Sequence, residues 1–256
     1  MSDSWLALKR YTQARIALGH TGHAVPTLAQ LELQLAHARA RDAVHLPWDS
    51  EAFAEQVRSM GEETRIVLTQ VQSRAEYLRR PDLGRELTEN SRSQLMDCAG
   101  SGANVALIVS NGLSSTAVEC HGLSLLRAIV MAYRARNISI APICLAANGR
   151  VALSDSIGSA LGARAAVIIV GERPGLSAAD SLGVYLTFGP RAGNTDERRN
   201  CISNIRPPEG LGYAAAAAKL LYLTEEALKR GYSGVMLKDN SEEGPAEIAQ
   251  EIPSIT

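Results

Sequence analysis

The second part of the chain alternates short, apolar, β-branched runs with longer helical stretches. Four runs are strand candidates, at residues 104–110 (NVALIVS), 138–145 (ISIAPICL), 165–170 (AAVIIV) and 184–188 (VYLTF). Their near-continuous apolar character is typical of strands that are covered on both faces. Helical stretches follow at residues 114–135, 154–161 and 213–230. This alternation predicts an α/β fold with a Rossmann-like parallel sheet flanked by helices.

The first hundred residues are rich in Ala, Leu, Gln, Glu and Arg, with apolar residues three to four positions apart. This spacing predicts helices at residues 28–41, 49–60 and 62–80. Thr27 is expected to cap the first of them, and Asp49 or Ser50 the second, because short polar side chains accept hydrogen bonds from free helix amides. The chain therefore divides into a helical N-terminal region, residues 1–100, and a Rossmann-like α/β domain, residues 101–256.

Composition limits the kind of partner that the chain can attract. It has 256 residues, of which 46% are hydrophobic, and a formal net charge of −1. A nearly neutral chain lacks the global positive field that draws a protein to nucleic acid or to an anionic membrane surface. The apolar runs are far shorter than a membrane span, and the first residues lack the layout of a secretory signal. We therefore expect a cytoplasmic protein.

The four cysteines predict neither a zinc cage nor a disulfide framework. They are widely spaced and form no CxxC pair, at Cys98, Cys120, Cys144 and Cys201. Reduced thiols are the expectation.

Motifs of nucleotide-binding and acyl-transfer enzymes are missing. Gly100 and Gly102 precede the first predicted strand instead of following it, and no GxGxxG or Walker sequence occurs elsewhere. The strand-to-helix turn that contains Ser110 is not a GxSxG elbow. In this turn Gly112 tolerates a positive φ and Ser114 can cap the next helix. A ligand-binding turn and a purely structural turn are both open alternatives here.

A dense polar segment directly follows the third predicted strand. It reads Gly-Glu-Arg-Pro-Gly and includes Glu172 and Arg173. Open parallel sheets bind ligands at this edge, so the two charges can hold a polar ligand group, or they can pair with each other. Cys201 lies further along in RNCISNIR, where the pattern alone is compatible with a buried structural thiol.

Long ordered motifs resemble the small subunit of ethanolamine ammonia-lyase. They are GERPGLSAADSLGVYLTFGPR, TDERRNCISNIRPPEGLGYAAAAAKL, RRPDLGREL, VSNGLSSTAV and GRVALSDSIGSALGAR, and together the matches cover nearly the whole chain. The resemblance implies one subunit of an adenosylcobalamin-dependent carbon-nitrogen lyase that converts ethanolamine to acetaldehyde and ammonia. It further implies that a large subunit binds ethanolamine and carries the reacting residues. The small subunit would hold the cobalamin at the interface between the two.

The resemblance also implies site residues. Val151 in Gly-Arg-Val, Glu172 in Gly-Glu-Arg-Pro-Gly and Cys201 in Arg-Asn-Cys match the cobalamin-contacting positions of the family, and Arg173 and Arg150 are neighbouring candidates. No catalytic residue is assigned to this chain. It lacks the DxHxxG sequence with which other cobalamin domains supply a histidine to cobalt, so no metal ligand is expected. Asn111 stands where the family often has Asp.

Two alternative functions stay open at this point. One is a free-standing cobalamin carrier without a lyase partner. The other is an unrelated nucleotide-binding enzyme, which the missing phosphate loop disfavours. Some relatives carry a longer N-terminal extension that is associated with a bacterial microcompartment, and this chain begins close to its first matching motif. Packaging of the hetero-oligomer in such a compartment is therefore left open.

Overall fold

A computed structural model describes residues 4–19, 23–99 and 102–241. The strands are β1 (Thr64–Ile66), β2 (Val105–Ser110), β3 (Ile143–Leu145), β4 (Ala165–Gly171), β5 (Leu182–Phe188) and β6 (Arg199–Ile205). They form one six-stranded sheet in the order β1-β3-β2-β4-β5-β6. The fold is therefore mixed α/β.

The α-helices are α1 (Thr27–His45), α2 (Ser50–Ser59), α3 (Arg74–Arg79), α4 (Glu89–Asp97), α5 (Ser115–Ala117), α6 (Leu123–Ala135), α7 (Leu153–Ala160) and α8 (Tyr213–Arg230). A π-helical turn, Val118–Gly122, joins α5 to α6. Short 3₁₀ turns lie at Ser4–Tyr11, Leu83–Arg85, Asp196–Arg198 and Gly234–Met236. No helix in the described ranges combines the length and the apolar character that crossing a membrane requires.

The sheet has two halves with different strand directions. Strands β1 to β4 pair in parallel, whereas β5 pairs antiparallel with both β4 and β6. The prediction of a parallel sheet is therefore wrong for its last two strands. The reason is the connection after β4. Parallel neighbours need a long crossover, but a short loop suffices for an antiparallel return, and residues 172–181 form such a loop without a helix.

The two faces of the sheet carry separate apolar clusters, which follow the two-residue period of the strands. On β4, Val167 and Ile169 belong to the first cluster, whereas Ile168 and Val170 belong to the second. Helices α2, α6 and α8 contribute to the first cluster, and α4 and α7 to the second. Every residue of β2 and of β4 is buried, as the apolar sequence runs predict.

In the N-terminal region the predictions hold in part. Helices α1 and α2 are confirmed, but the helix predicted at residues 62–80 is wrong over its first half. There β1 pairs with β3, with Thr64 opposite Ile143, because long-range pairing outweighs local helix preference. Thr27 does not cap α1, since Pro26 holds the capping position. Asp49 caps α2 as predicted, with Oδ1 accepting from the Ala52 amide at 2.9 Å.

Candidate functional site

Three loops meet at the carboxyl edge of the parallel strands. They follow β2, β3 and β4, and the loop after β2 touches the end of β4, where the Leu113 amide donates to the Gly171 carbonyl at 2.9 Å. Gly112 has a φ of 50°, as its position in the turn predicts. A Cβ at Gly112 would collide with Val170 and Gly171. Glycine is therefore required for the two strand ends to come together.

Asn111 joins the loop after β2 to the loop after β3. Its Oδ1 accepts from the Asn148 amide at 2.7 Å, and its Nδ2 donates to Ser115 Oγ at 3.0 Å. Ser114 caps α5 as predicted, accepting from the Ala117 amide at 3.1 Å. Both polar groups of the buried Asn111 side chain are therefore used inside the protein. A purely structural turn explains both groups of the Asn111 side chain. An amide fits this position because it accepts one hydrogen bond and donates another.

Glu172 lies just beyond β4 and is half-buried. Its Oε2 accepts from Ser181 Oγ at 2.5 Å and from the Asn204 amide at 3.2 Å. These bonds fix the carboxylate between the loop after β4 and the end of β6. Oε1 has no hydrogen-bond donor among the described residues, so it remains available to a ligand. Arg173 is exposed and forms no ion pair with Glu172 in this part of the chain, so the alternative in which the two charges pair is wrong.

Tyr185 and Cys201 lie side by side on β5 and β6, where they are register partners. Desolvation raises the pKa of both groups, and for Cys201 a hydrogen bond with Tyr185 opposes this rise while the charge of Glu172 adds to it. Although Cys201 is exposed at the surface, its pKa therefore lies above the ordinary value. Both groups are protonated and uncharged near neutral pH, which makes this a neutral surface and leaves Cys201 a weak nucleophile.

Val151 precedes α7 and packs at the border of the second apolar cluster, as Tyr185 does. The absence of a side chain at Gly183 leaves room for Glu172 and Tyr185. A Cβ there would crowd both the Glu172 carboxylate and the Tyr185 ring. The structure therefore places three of the predicted residues on one surface. We call this surface the open face and define it by Val151, Glu172, Tyr185 and Cys201.

The open face is uncovered because α7 reaches only part of the sheet. At its far end the Arg199 guanidinium is held by Asp155 of α7 at 2.6 Å and by Thr187 Oγ1 at 2.9 Å, and all three side chains are buried. Beyond this pair, Cys201 is exposed on β6. The opposite face of the same strands is closed, since α8 packs against β5 and β6.

Tyr185 was not a predicted site residue. The signal that identifies its position is the alternation in Val-Tyr-Leu, which sends the ring to the face opposite Val184 and Leu186. Arg173, in contrast, is not brought into contact with the open face by any described interaction. It stays an exposed neighbour of Glu172.

Histidine and cysteine side chains assemble no metal site in the described ranges, where no group of three His, Cys, Asp or Glu residues could hold an ion. His121 is buried in the π-helical turn. Its ring nitrogens lie 2.7 Å from the Tyr213 hydroxyl and 3.3 Å from Asp180 Oδ2. Both ring nitrogens of His121 therefore have partners inside the protein. All four cysteines are free thiols.

Comparison with known proteins identifies the relatives of this chain. The family described as ethanolamine ammonia-lyase light chain (EutC) matches residues 2–238. A protein of Ralstonia nicotianae named ethanolamine ammonia-lyase small subunit is 52% identical over 243 residues, which cover 94% of this chain and 90% of that protein. Proteins of the same name from Azotobacter vinelandii and Pseudomonas fluorescens (strain SBW25) are 51% and 48% identical, over 94% of this chain and 90% and 87% of theirs.

Proposed function

This chain belongs to the family of ethanolamine ammonia-lyase light chains, and from that premise we propose that it holds adenosylcobalamin on its open face. In this proposal it is the small subunit of a hetero-oligomeric carbon-nitrogen lyase, which converts ethanolamine to acetaldehyde and ammonia. The large subunit binds ethanolamine and supplies the residues that act on it. The complex works in the cytoplasm, either free or inside a bacterial microcompartment.

The observation that carries the proposal is the uncovered half of the sheet. Strands β5 and β6 are covered by α8 on one face and leave Tyr185 and Cys201 accessible on the other. Apart from the fixed carboxylate of Glu172, the open face is uncharged and partly apolar. Such a surface suits a large ligand that carries amide groups. Glu172 Oε1 can accept a hydrogen bond from an amide N–H, and Val151, Tyr185 and Cys201 can pack against the macrocycle.

The chemistry of the donor set therefore fits a corrinoid. When bound, adenosylcobalamin supplies the homolytic cobalt-carbon chemistry of the reaction. The residues of this chain hold and shield it. Glu172 is fixed by Ser181 and by the Asn204 amide, so it can orient a side arm without moving. His121 is engaged internally by Tyr213 and Asp180, and we assign no cobalt ligand to this chain.

No residue of the open face has the setting of a general base or a nucleophile. Cys201 is a protonated thiol, because desolvation raises its pKa. Glu172 is held by two internal hydrogen bonds, from Ser181 and from the Asn204 amide, so we assign it to positioning the cofactor. The reacting groups are therefore assigned to the large subunit.

The experiment is co-expression of this chain with a large subunit of ethanolamine ammonia-lyase. We expect the two to co-purify, to bind cobalamin with a change in its visible absorbance, and to release acetaldehyde from ethanolamine only with adenosylcobalamin present. Failure of a folded pair to do so would overturn the proposal. The alternative, a free-standing carrier, predicts that this chain alone binds cobalamin as tightly as the pair and that the pair releases no acetaldehyde.

A further inference from the structure

Two buried arginines and two half-buried arginines differ in their partners. Arg199 is paired with Asp155 at 2.6 Å, and Arg206 lies 3.6 Å from Asp180 and 3.9 Å from Glu209. These pairings are expected, because a cation removed from water is costly unless an anion compensates it. Two further arginines at the carboxyl edge of the sheet have no carboxylate partner among the described residues.

Arg74 is the first of these. Its Nε donates to the Val44 carbonyl at 2.7 Å, and its Nη1 donates to the Gly112 carbonyl at 2.7 Å and to Asn148 Oδ1 at 2.9 Å. All three acceptors are neutral. Its Nη2 is buried and has no hydrogen-bond partner in the described ranges. Burial lowers the pKa of this guanidinium, and the positive charge of Arg150 lowers it further.

Arg150 is the second, and it shares an aromatic ring with the first. The guanidinium carbons of Arg74 and Arg150 each lie 4.9 Å from the centroid of the Tyr77 ring. The Arg150 Nε is buried without a partner, and the described residues offer no hydrogen bond to its terminal nitrogens. Two cations therefore meet at one ring, and the ring quadrupole offsets only part of their repulsion.

The arrangement is rigid. Tyr77 is fully buried, and its hydroxyl donates to the Gly149 carbonyl at 3.2 Å. The Arg150 amide donates to the Gly84 carbonyl at 2.7 Å, and a Cβ at Gly84 would collide with Tyr77 and with the Asn148 carbonyl. The Tyr77 ring and the backbone at Arg150 are thus held in place before any ligand arrives, which lowers the ordering cost of binding there.

The position of the pair relates it to the open face. Arg150 directly precedes Val151, so it lies at one end of that surface, whereas Cys201 lies on β6 at the other. Strand β3, which leads to Arg150, is four interstrand spacings from β6, or about 19 Å. Only a large ligand can contact both ends. Adenosylcobalamin is of that kind, and its nucleotide tail carries one anionic phosphodiester.

We propose that Arg150, supported by Arg74 and Tyr77, binds the phosphodiester of the cobalamin nucleotide tail. This inference rests on the proposed function. Arg150 makes the contact through its terminal nitrogens, since they have no described acceptor. Arg74 is a positioning residue. It packs against the Tyr77 ring and adds a second positive charge close to Arg150. The anion compensates both cations, as Asp155 compensates Arg199.

The test compares two corrinoids on the purified two-subunit complex. Cyanocobalamin contains the phosphodiester, and dicyanocobinamide lacks it together with the rest of the nucleotide. For Arg150→Gln we expect cyanocobalamin to bind about 10-fold more weakly than to the unaltered complex, the loss typical of one charge-assisted hydrogen bond. The affinity of the variant for dicyanocobinamide should stay within about 2-fold of that of the unaltered complex. Absorbance titration or calorimetry measures both.

Two further variants keep the result interpretable. Arg150→Lys retains the charge but not the planar fork, so an intermediate loss confined to cyanocobalamin is expected. Arg85→Gln is the matched control. Arg85 is exposed in the neighbouring 3₁₀ turn, and its substitution removes the same charge as Arg150→Gln. It should leave both affinities unchanged. Thermal melting of each variant verifies that it is folded.

Three results would overturn the inference. If Arg150→Gln weakens both corrinoids equally, or weakens neither, the pair does not recognise the phosphodiester. If the variant instead loses the large subunit during gel filtration without cobalamin, the compensating anion is a carboxylate of the partner. If the unaltered complex binds no corrinoid at all, the proposed function itself fails. That last result is distinguishable because it appears without any substitution.

Discussion

The two halves of the sheet differ in how they are covered. The parallel half, from β1 to β4, is buried by helices on both faces, and all residues of β2 and β4 are inaccessible. The antiparallel half is covered by α8 on one face and reached by α7 only at its end, where Asp155 meets Arg199. The first half stabilises the fold, whereas the second exposes functional groups on a rigid surface.

The largest effect is expected at the buried ion pair that links α7 to the edge strand β6. Asp155→Ala removes the buried partner of Arg199, whose side chain is only 2% exposed, and leaves it only the fully exposed Asp196 carboxylate at 3.4 Å. The free energy of unfolding should fall by about 3–5 kcal/mol. Urea denaturation measures this. The double variant Asp155→Leu with Arg199→Met should recover much of the loss, and equal losses in the single and double variants would show that the charge is not the cause.

A smaller effect is expected from a large-to-small change within the parallel half. Ile168→Ala removes a fully buried side chain of β4 and should cost about 2–5 kcal/mol of unfolding free energy. The matched variant is Cys201→Ala on the open face, whose cost should be within about 0.5 kcal/mol. Thermal and urea unfolding of both proteins measure the contrast. Comparable losses would mean that the two halves are equally packed.

Glu172→Gln tests the function of the open half. It keeps the shape of the side chain but removes the charge that accepts hydrogen bonds, so cobalamin affinity in the two-subunit complex should fall about 10-fold. Turnover at saturating cofactor should be unchanged, since the residue is assigned to binding. Glu197→Gln, on the exposed hairpin end, is the control. Loss of turnover at saturating cofactor would instead place Glu172 in the chemistry.

The smallest effect concerns the thiol of the parallel half. Burial raises the pKa of Cys144 to about 12, above its value in the unfolded chain. The folded state therefore keeps a proton that the unfolded state releases, so stability is fully present below about pH 8.5 and declines above it. The slope contributed is at most about 1.4 kcal/mol per pH unit. Cys144→Ala should flatten the decline between pH 9 and 10, measured by urea unfolding, and an unchanged slope would contradict the assignment.

Much of the parallel half was predictable from the sequence. Strands β2 and β4 and helices α7 and α8 lie within one residue of the predicted ranges, because buried strands and amphipathic helices leave strong local patterns. The single helix predicted at residues 114–135 is divided into α5, the π-helical turn and α6. Strand β6 was not predicted. Its buried residues, Arg199, Ile202 and Ile205, are three positions apart, and a register irregularity interrupts its pairing with β5, so it lacks the two-residue pattern of a regular strand.

The candidate site was predictable only in part. Glu172 follows a clear strand, and its position at the carboxyl edge of the parallel strands is visible in the sequence. Tyr185 and the arrangement of Arg74, Tyr77 and Arg150 were not, because the partners lie far apart along the chain. No local pattern shows that two guanidiniums share one ring.

The sequence by itself determined the family and the α/β class, since these depend on local composition and on long motifs. Only the tertiary structure decided the direction of β5 and β6 and the face on which Cys201 lies. It also decided which arginines have a carboxylate partner. The physical reason is that strand pairing and charge compensation are made by residues distant in sequence, and only the packed chain brings them together.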